Sequence, residues 1–283
     1  MAYKTNLYIK LKYLIILYMS KQFKFNFNFN FGTQKTIHRG DLINFRKDVN
    51  VLDIFKFKDV YRPVVPLNVY LTWHTKNLPP KMRENLEYMK RINPGFNFYL
   101  FDDNDCLNFI KAHFDEYVVD AFNKLIPGAY KADLWRLCVL YINGGFYLDI
   151  KHRCVNNFRL IMLSEDEHYT LDRPKGYIYN AIMVCKAGND FLKKCIERIV
   201  INVNRGYYGP DALSPTGPGL LGRIKTQFNF PLNIDLTHSM GGGQFTYQGK
   251  VAFKCYPEYD TERNIYGKTK HYSDHWNNKN IYN

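Results

Sequence analysis

A strand–helix–strand pattern in the first part of the apolar sequence constrains the fold most. Asn68–Trp73 and Phe96–Phe101 are short apolar runs of the kind that form buried strands. Between them, Met82, Leu86 and Met89 are spaced like one face of a helix. Such a unit within about thirty residues predicts an α/β fold in which the two strands run parallel. Ligands of these sheets bind at the carboxyl ends of the strands.

Composition supports a folded domain and sets the N-terminal part of the chain apart. Of 283 residues, 46% are hydrophobic, and no run of about 18 apolar residues occurs, so neither general disorder nor a standard membrane-spanning helix is expected. The net charge is +13, and residues 1–62 hold 12 of the 39 basic side chains but only 4 of the 26 acidic ones. We therefore predict a basic, Phe- and Asn-rich extension over residues 1–62 and one α/β domain over residues 63–283.

The basic extension has two interpretations. Its charge suits an anionic membrane surface, although a solvated tail of biased composition would have the same charge. Within it, residues 23–31 alternate aromatic and polar side chains, which is the pattern of a strand with one aromatic face. No nucleic-acid-binding motif accompanies the charge, so we expect no specific nucleic acid partner.

The cysteines indicate a reducing environment. None of the six forms a C-x-x-C pair, which disfavours a zinc ribbon or a thioredoxin-type redox site. Cys138, Cys154 and Cys185 lie in apolar segments and are predicted to be core residues. No N-x-S/T glycosylation site occurs either. We therefore predict a cytoplasmic protein. Its basic N-terminal extension would allow it to bind peripherally to a membrane.

The most informative stretch runs from Pro127 to Asp149. Its apolar residues make a helical core stripe, and Gly144 and Gly145 are suited to end that helix before a third buried strand, Phe146–Ile150. Asp133 and Arg136 are three residues apart and share one helix face. Two charges on an otherwise apolar helix need either each other or a ligand, and the spacing alone allows both interpretations.

This stretch resembles the DXD-containing glycosyltransferases related to yeast initiation-specific α-1,6-mannosyltransferase (family 32). The central pattern is Ala132-Asp133-Leu-Trp-Arg136 followed by Leu140-Tyr-Ile-Asn-Gly-Gly-Phe-Tyr-Leu-Asp149. Weaker matches to the family follow the chain in the right order, so the resemblance covers roughly residues 66–276. They are Trp73-His74 with Leu78-Pro79, Asn93 to Asp102, Asn180-Ala-Ile-Met, Thr216-Gly-Pro218, and His271 to Trp276.

The resemblance implies a GT-A, Rossmann-like fold that transfers a sugar from a nucleotide-sugar donor to a glycan or protein acceptor, with retention of configuration. It assigns Asp133, Arg136 and Asp149 to the catalytic centre. Retaining attack within an ion pair needs no protein nucleophile, so the absence of a catalytic triad does not count against activity. The resemblance also assigns donor binding to Trp73, Tyr147, Asn180, Thr216 and Gly217, and binding of Mn²⁺ or Mg²⁺ to Asp149. To these we add two residues of this sequence, Lys151 for donor binding and His271 as a second metal ligand.

The sequence departs from the family at the motif itself, which reads Asp149-Ile150-Lys151 where the family has D-x-D. The period of two along a strand predicts that residues 149 and 151 share a face. Three interpretations stay open. Lys151 neutralises the diphosphate and makes the metal weak or dispensable; or Asp149 still assembles a metal site with His152 and His271 or His275; or the protein is an inactive relative that binds nucleotide-sugar or glycan. The turn from Ser214 to Gly219 is likewise either a phosphate-binding loop or a plain helix start.

Overall fold

The predicted βαβ unit is present and opens the main sheet. A computed structural model describes residues 36–38, 54–239 and 243–283. The strands of these residues are β1 (Ile37–His38), β2 (Val60–Tyr61), β3 (Asn68–Thr72), β4 (Asn97–Phe101), β5 (Gly145–Leu148), β6 (His152–Cys154), β7 (His168–Leu171), β8 (Ile178–Cys185), β9 (Ile234–His238), β10 (Gln244–Tyr247) and β11 (Lys250–Cys255). The helices are α1 (Pro80–Ile92), α2 (Asp103–His113), α3 (Glu116–Lys124), α4 (Gly128–Asn143), α5 (Asp190–Asn204), α6 (Pro218–Phe228), α7 (Tyr259–Tyr266) and α8 (Tyr272–Asn277).

The main sheet of the described residues has nine strands in the order β4-β3-β5-β8-β7-β9-β10-β11-β6. β3 pairs in parallel with both β4 and β5, whereas β8 runs antiparallel to β5. The carboxyl ends of β3, β4 and β5 therefore meet at one edge, which is where an α/β sheet binds ligands. The parallel βαβ start confirms the predicted α/β fold.

The strand residues alternate between two cores on opposite sides of the sheet. Val69 and Leu71 join the core that contains α1, whereas Tyr70 and Tyr147 join the core that contains α4 and α5. The predicted core positions Cys138, Cys154 and Cys185 are buried free thiols, which confirms that interpretation.

Two local signals in the sequence place α1 and α2 correctly. The predicted face of α1, made of Met82, Leu86 and Met89, is buried. Asp102 caps α2, because its carboxylate accepts hydrogen bonds from the backbone N–H groups of Asn104 and Asp105. The start of α1, in contrast, is capped from a distant part of the chain. The carboxylate of Glu262 on α7 accepts hydrogen bonds from the Lys81 and Met82 N–H groups at 2.7 and 2.8 Å.

Gly144 and Gly145 end α4 and start β5, as predicted. Their φ angles are +61° and +110°, which L-residues with a side chain rarely adopt. A Cβ atom on Gly145 would also lie 2.7 Å from the carbonyl oxygen of Asn68. The glycine therefore allows the start of β5 to lie close to β3, with which β5 pairs in parallel.

Residues 54–61, which the sequence assigns to the N-terminal extension, pack against the α/β domain. Phe55, Phe57 and Tyr61 are buried, and the Phe55 ring meets the Phe158 ring at 5.0 Å. β2 pairs with β1, the strand of residues 37–38. The aromatic alternation over residues 23–31 lies outside the described residues. Among the helices of the described part of the chain, none has the length and apolar character to cross a membrane.

Candidate functional site

A cavity of about 740 Å³ opens at the edge where β3 and β5 end. One wall is Trp73, immediately after β3, and another is the face of α4 that carries Arg136. Asp149 and Lys151, after β5, lie at its base, and residues 259–274 of the C-terminal segment line the remaining side. Of the sequence-predicted site residues, Trp73, Arg136, Asp149, Lys151 and His271 line this cavity.

A tight turn, rather than a strand, brings Asp149 and Lys151 together. β5 ends at Leu148, two residues earlier than the strand predicted from the sequence. The backbone N–H of His152 then donates to the Asp149 carbonyl oxygen at 3.0 Å, which closes the turn. The Lys151 ammonium lies 3.0 Å from Asp149 Oδ2. Both side chains face the cavity, as predicted, but the pleat of a strand is not the reason.

Asp149 is a carboxylate held between two cations. Its Oδ1 accepts a hydrogen bond from the Tyr147 hydroxyl at 2.9 Å and lies 3.5 Å from Arg136 Nη1, while Oδ2 faces Lys151. Burial alone would raise the pKa of this carboxyl, but Lys151 and Arg136 outweigh it and hold the pKa well below its usual range. Tyr147 itself is buried behind Asp149, so it orients the carboxylate from the protein side.

Arg136 is fixed by the backbone as well as by carboxylates. Its Nη1 donates to the carbonyl oxygen of Asn180 at 2.9 Å, and its Nε donates to the carbonyl oxygen of Ala132 at 3.1 Å. The guanidinium also stacks over the Tyr147 ring, with Cζ 4.4 Å from the ring centroid. These contacts hold a rigid cation at the cavity wall, next to Asp149.

Asp133 lies behind this wall. It is 8% exposed, and both carboxylate oxygens are occupied by protein groups. Oδ1 accepts from the Asn180 side-chain amide at 2.8 Å, Oδ2 accepts from the Thr216 hydroxyl at 2.7 Å, and Arg136 Nη2 lies 3.3 Å from Oδ1. Burial raises the pKa of Asp133, and the charge of Arg136 opposes that shift. The intrahelical pair that the spacing allowed is therefore present, and it is part of a larger buried network.

The loop before α6 belongs to the same network. Thr216 is buried and donates to Asp133, and Gly217 is the N-cap residue of α6. A Cβ atom on Gly217 would lie 3.1 Å from Asp133 Oδ2, so a glycine lets the loop approach this carboxylate closely. Asn180, Thr216 and Gly217 thus contact or border Asp133 rather than the cavity, and Tyr147 contacts Asp149.

Trp73 brings an aromatic ring to the cavity lining. Its indole Nε1 is buried and has no hydrogen-bond partner among the described residues. Its ring meets the His74 ring at 4.9 Å, and both residues line the cavity. This pair offers a surface on which a planar group of a ligand could stack.

The side chains predicted as metal ligands have other partners in the described residues. No group of three or more His, Cys, Asp or Glu side chains in these ranges is arranged to hold a metal ion. His271 lines the cavity but is exposed, and its Nδ1 contacts Ser273. His152 is buried with Nε2 3.3 Å from the Tyr179 hydroxyl, and His275 Nδ1 contacts the backbone of Asn280. Asp149, the carboxylate expected to bind the metal, is already paired with Arg136 and Lys151.

Apart from His271, the C-terminal side of the cavity was not predicted from the sequence. It brings the ring of Tyr259 and three basic residues, Arg263, Lys268 and Lys270, to the cavity, which Lys131 of α4 also lines. Burial lowers the pKa of Lys131, as expected for an ammonium that loses water. The concentration of basic residues between 263 and 270 is visible in the sequence, but nothing local indicates that they face the end of β5.

Comparisons with known proteins agree with the position of the site. Residues 79–169 match a family model described as a glycosyltransferase sugar-binding region containing a DXD motif. This match includes Arg136, Asp149 and Lys151, and it confirms the predicted relationship of the chain to the DXD-containing glycosyltransferases.

Two curated relatives are similar over parts of their length. An uncharacterized glycosyltransferase of Acanthamoeba polyphaga mimivirus is 30% identical over 96 residues, which is 33% of this chain and 38% of the relative. Inositol phosphoceramide mannosyltransferase 3 of Schizosaccharomyces pombe is 23% identical over 164 residues, which is 56% of this chain and 44% of the relative. The chain therefore covers less than half the length of these relatives.

Among solved structures, the PaToxG glycosyltransferase is similar with a TM-score of 0.43 and 18% identity, over 59% of this chain and 71% of that one.

Proposed function

We propose that this protein is a glycosyltransferase that transfers a hexosyl group from a nucleotide-sugar donor. The observation that carries the proposal is the position of Arg136, Asp149 and Lys151. They lie in one cavity, at the carboxyl ends of β3 and β5, within the segment that matches the glycosyltransferase family model.

The charges of the cavity suit the diphosphate of such a donor. A nucleoside diphosphate group is anionic, and a guanidinium and an ammonium are the side chains that bind phosphate oxygens best. Arg136 and Lys151 supply these groups. Around them, Lys131, Arg263, Lys268 and Lys270 outnumber the carboxylates Asp103 and Asp274, although Lys268 is paired with Asp103 at 3.0 Å. We assign the nucleotide to the side of Trp73, whose ring can stack on a base, and the sugar to the side of Asp149.

The reaction follows from this placement. The bond between the anomeric carbon and the diphosphate oxygen breaks, a bond from that carbon to an acceptor hydroxyl oxygen forms, and the hydroxyl proton passes to the departing diphosphate. Arg136 and Lys151 stabilise the negative charge that develops on the leaving oxygen. We propose that the acceptor attacks from the side of the departing diphosphate, a course that retains configuration and needs no protein nucleophile.

We further propose a glycan or glycolipid acceptor. The relatives in Schizosaccharomyces pombe are named inositol phosphoceramide mannosyltransferases, which makes mannose a first donor sugar to test and a phosphorylated polyol lipid a first acceptor. The basic rim of the cavity is compatible with an anionic acceptor. The proposed catalytic residues of this chain are Arg136 and Asp149, and Asp133 is proposed as a positioning residue that acts through Arg136.

The test is hydrolysis of the donor by the full chain in the absence of acceptor. It uses a panel of UDP- and GDP-sugars and measures the UDP or GDP that is released. We expect release from at least one donor and loss of release, by tenfold or more, in Asp149→Asn. The matched control is Asp120→Asn, the same chemical change at an exposed residue of α3 outside the cavity.

Two results would reject the proposal. Equal activity of Asp149→Asn and wild type would show that this cavity is not the active site. Binding of a nucleotide-sugar in the panel without any release of nucleotide would favour an inactive binding protein instead.

A further inference from the structure

Lys151 is a lysine at the motif position where the related enzymes carry a carboxylate for the metal. It lies at the base of the cavity, with its side chain 21% exposed and its ammonium 3.0 Å from Asp149 Oδ2. The rings of Tyr179 and Tyr259 lie 5.9 and 5.7 Å from the same ammonium. An ammonium at this degree of burial needs such partners, because the loss of water disfavours its charge.

From these contacts we propose that Lys151 supplies, as a permanent part of the protein, the positive charge that a divalent cation supplies at a D-x-D motif. The inference deepens the function proposed above and rests on it. Lys151 and Arg136 would hold the donor diphosphate, so binding of the donor would not require a metal ion.

The formal charge of the motif supports this inference. A D-x-D pair with a bound divalent cation sums to zero, because two carboxylates balance two positive charges. Asp149 and Lys151 also sum to zero, with no metal present. A divalent cation added here would leave an excess of positive charge beside Arg136, whose Nη1 lies 3.5 Å from Asp149. The motif therefore has the charge of a metal-loaded site and a reduced attraction for a metal.

The geometry leaves Lys151 able to bind an anion as well as Asp149. An ammonium carries three N–H donors, and the contact with Asp149 uses one of them. Asp149 is in turn oriented by the Tyr147 hydroxyl at 2.9 Å, so the carboxylate is a fixed anchor for the ammonium. Lys151 is thus positioned before any ligand arrives, which lowers the ordering cost of binding.

The experiment measures binding of UDP and GDP by isothermal titration calorimetry, in EDTA and in Mn²⁺, with the full chain. For wild type we expect dissociation constants in the two buffers that agree within about threefold. For Lys151→Met we expect binding at least tenfold weaker in both buffers, whereas Lys151→Arg, which keeps the charge, retains binding. For Lys151→Asp we expect weak binding in EDTA, recovery in Mn²⁺, and a rise in melting temperature with Mn²⁺ alone that wild type lacks.

The control is Lys254→Asp, which makes the same two-unit change of charge at an exposed residue of β11 outside the cavity. It should behave like wild type. If wild type binds nucleotide only with Mn²⁺, or if Lys151→Met binds as tightly as wild type, this inference is wrong while the proposed glycosyltransferase stands. If wild type binds neither nucleotide in either buffer, the proposed function itself fails. If Lys151→Asp does not fold, the wild-type, Met and Arg measurements still decide the question.

Discussion

Replacement of Asp133 by asparagine separates a structural from a ligand-binding role for this carboxylate. In the structure, Asp133 accepts hydrogen bonds from Asn180 and Thr216 at 2.8 and 2.7 Å and lies 3.3 Å from Arg136. Asparagine has one acceptor oxygen and one NH₂ group, so at least one of these donors would lose its acceptor. Removing one partner of a buried ion pair costs about 3–5 kcal/mol, and a lost hydrogen bond to a charged group costs about 1.5–3 kcal/mol.

We therefore expect Asp133→Asn to lower the free energy of unfolding by about 2–5 kcal/mol, because the amide keeps part of the network. Arg136 retains its bonds to the Asn180 and Ala132 carbonyl oxygens. The affinity of the remaining folded protein for UDP or GDP should therefore fall by less than about tenfold.

The measurements are urea unfolding followed by circular dichroism, and calorimetric binding well below the midpoint of unfolding. Thr216→Val, a replacement of similar shape that removes the second hydrogen bond, should lower stability in the same way. The double variant should show a coupling energy of about 0.5–3 kcal/mol, as contacting residues do. Unchanged stability together with loss of nucleotide binding would refute this reasoning. It would show that Asp133 binds the nucleotide-sugar donor directly.

Four further predictions follow from single features. In the folded protein, burial and then the charge of Lys151 lower the pKa of His152 well below 6.5. Because the unfolded chain binds this proton more readily, the free energy of unfolding should fall as the pH drops below about 6.5, by at most about 1.4 kcal/mol per pH unit. His152→Phe should flatten this slope in denaturant melts at pH 5 to 7. Gly145→Ala should lower the free energy of unfolding by about 2 kcal/mol or more, since φ is +110°; an unchanged melting temperature would contradict it. Glu262→Gln should cost about 1.5–3 kcal/mol and speed amide hydrogen exchange at the start of α1, whereas equal exchange would show that the cap contributes little. Residues 2–35 contain six lysines and no acidic residue. Their deletion should preserve donor hydrolysis and weaken binding to anionic vesicles by about 1 kcal/mol per well-placed lysine. Unchanged vesicle binding would show that this segment does not bind membranes.

The elements that could be predicted from the sequence are those whose signals are local. The apolar spacing in α1, the Asp102 cap of α2 and the glycines at the end of α4 depend on residues within a few positions of each other. Such interactions form in the same way wherever the segment lies in the fold, so periodicity and residue type predict them. The motif around Asp149 was also recognisable, because its residues are contiguous.

The contacts that these residues make could not be predicted, because they join segments far apart in the chain. Asp133 meets Asn180 and Thr216, which are 47 and 83 positions away, and this network places it behind Arg136 rather than at the cavity. The same applies to the cap of α1 by Glu262, 180 positions from Met82, and to the basic C-terminal side of the cavity. Asp149 and Lys151 meet through a turn that replaces the expected strand. These contacts depend on which surfaces of the helices and the sheet pack together. The local sequence pattern does not contain that information for segments so far apart in the chain.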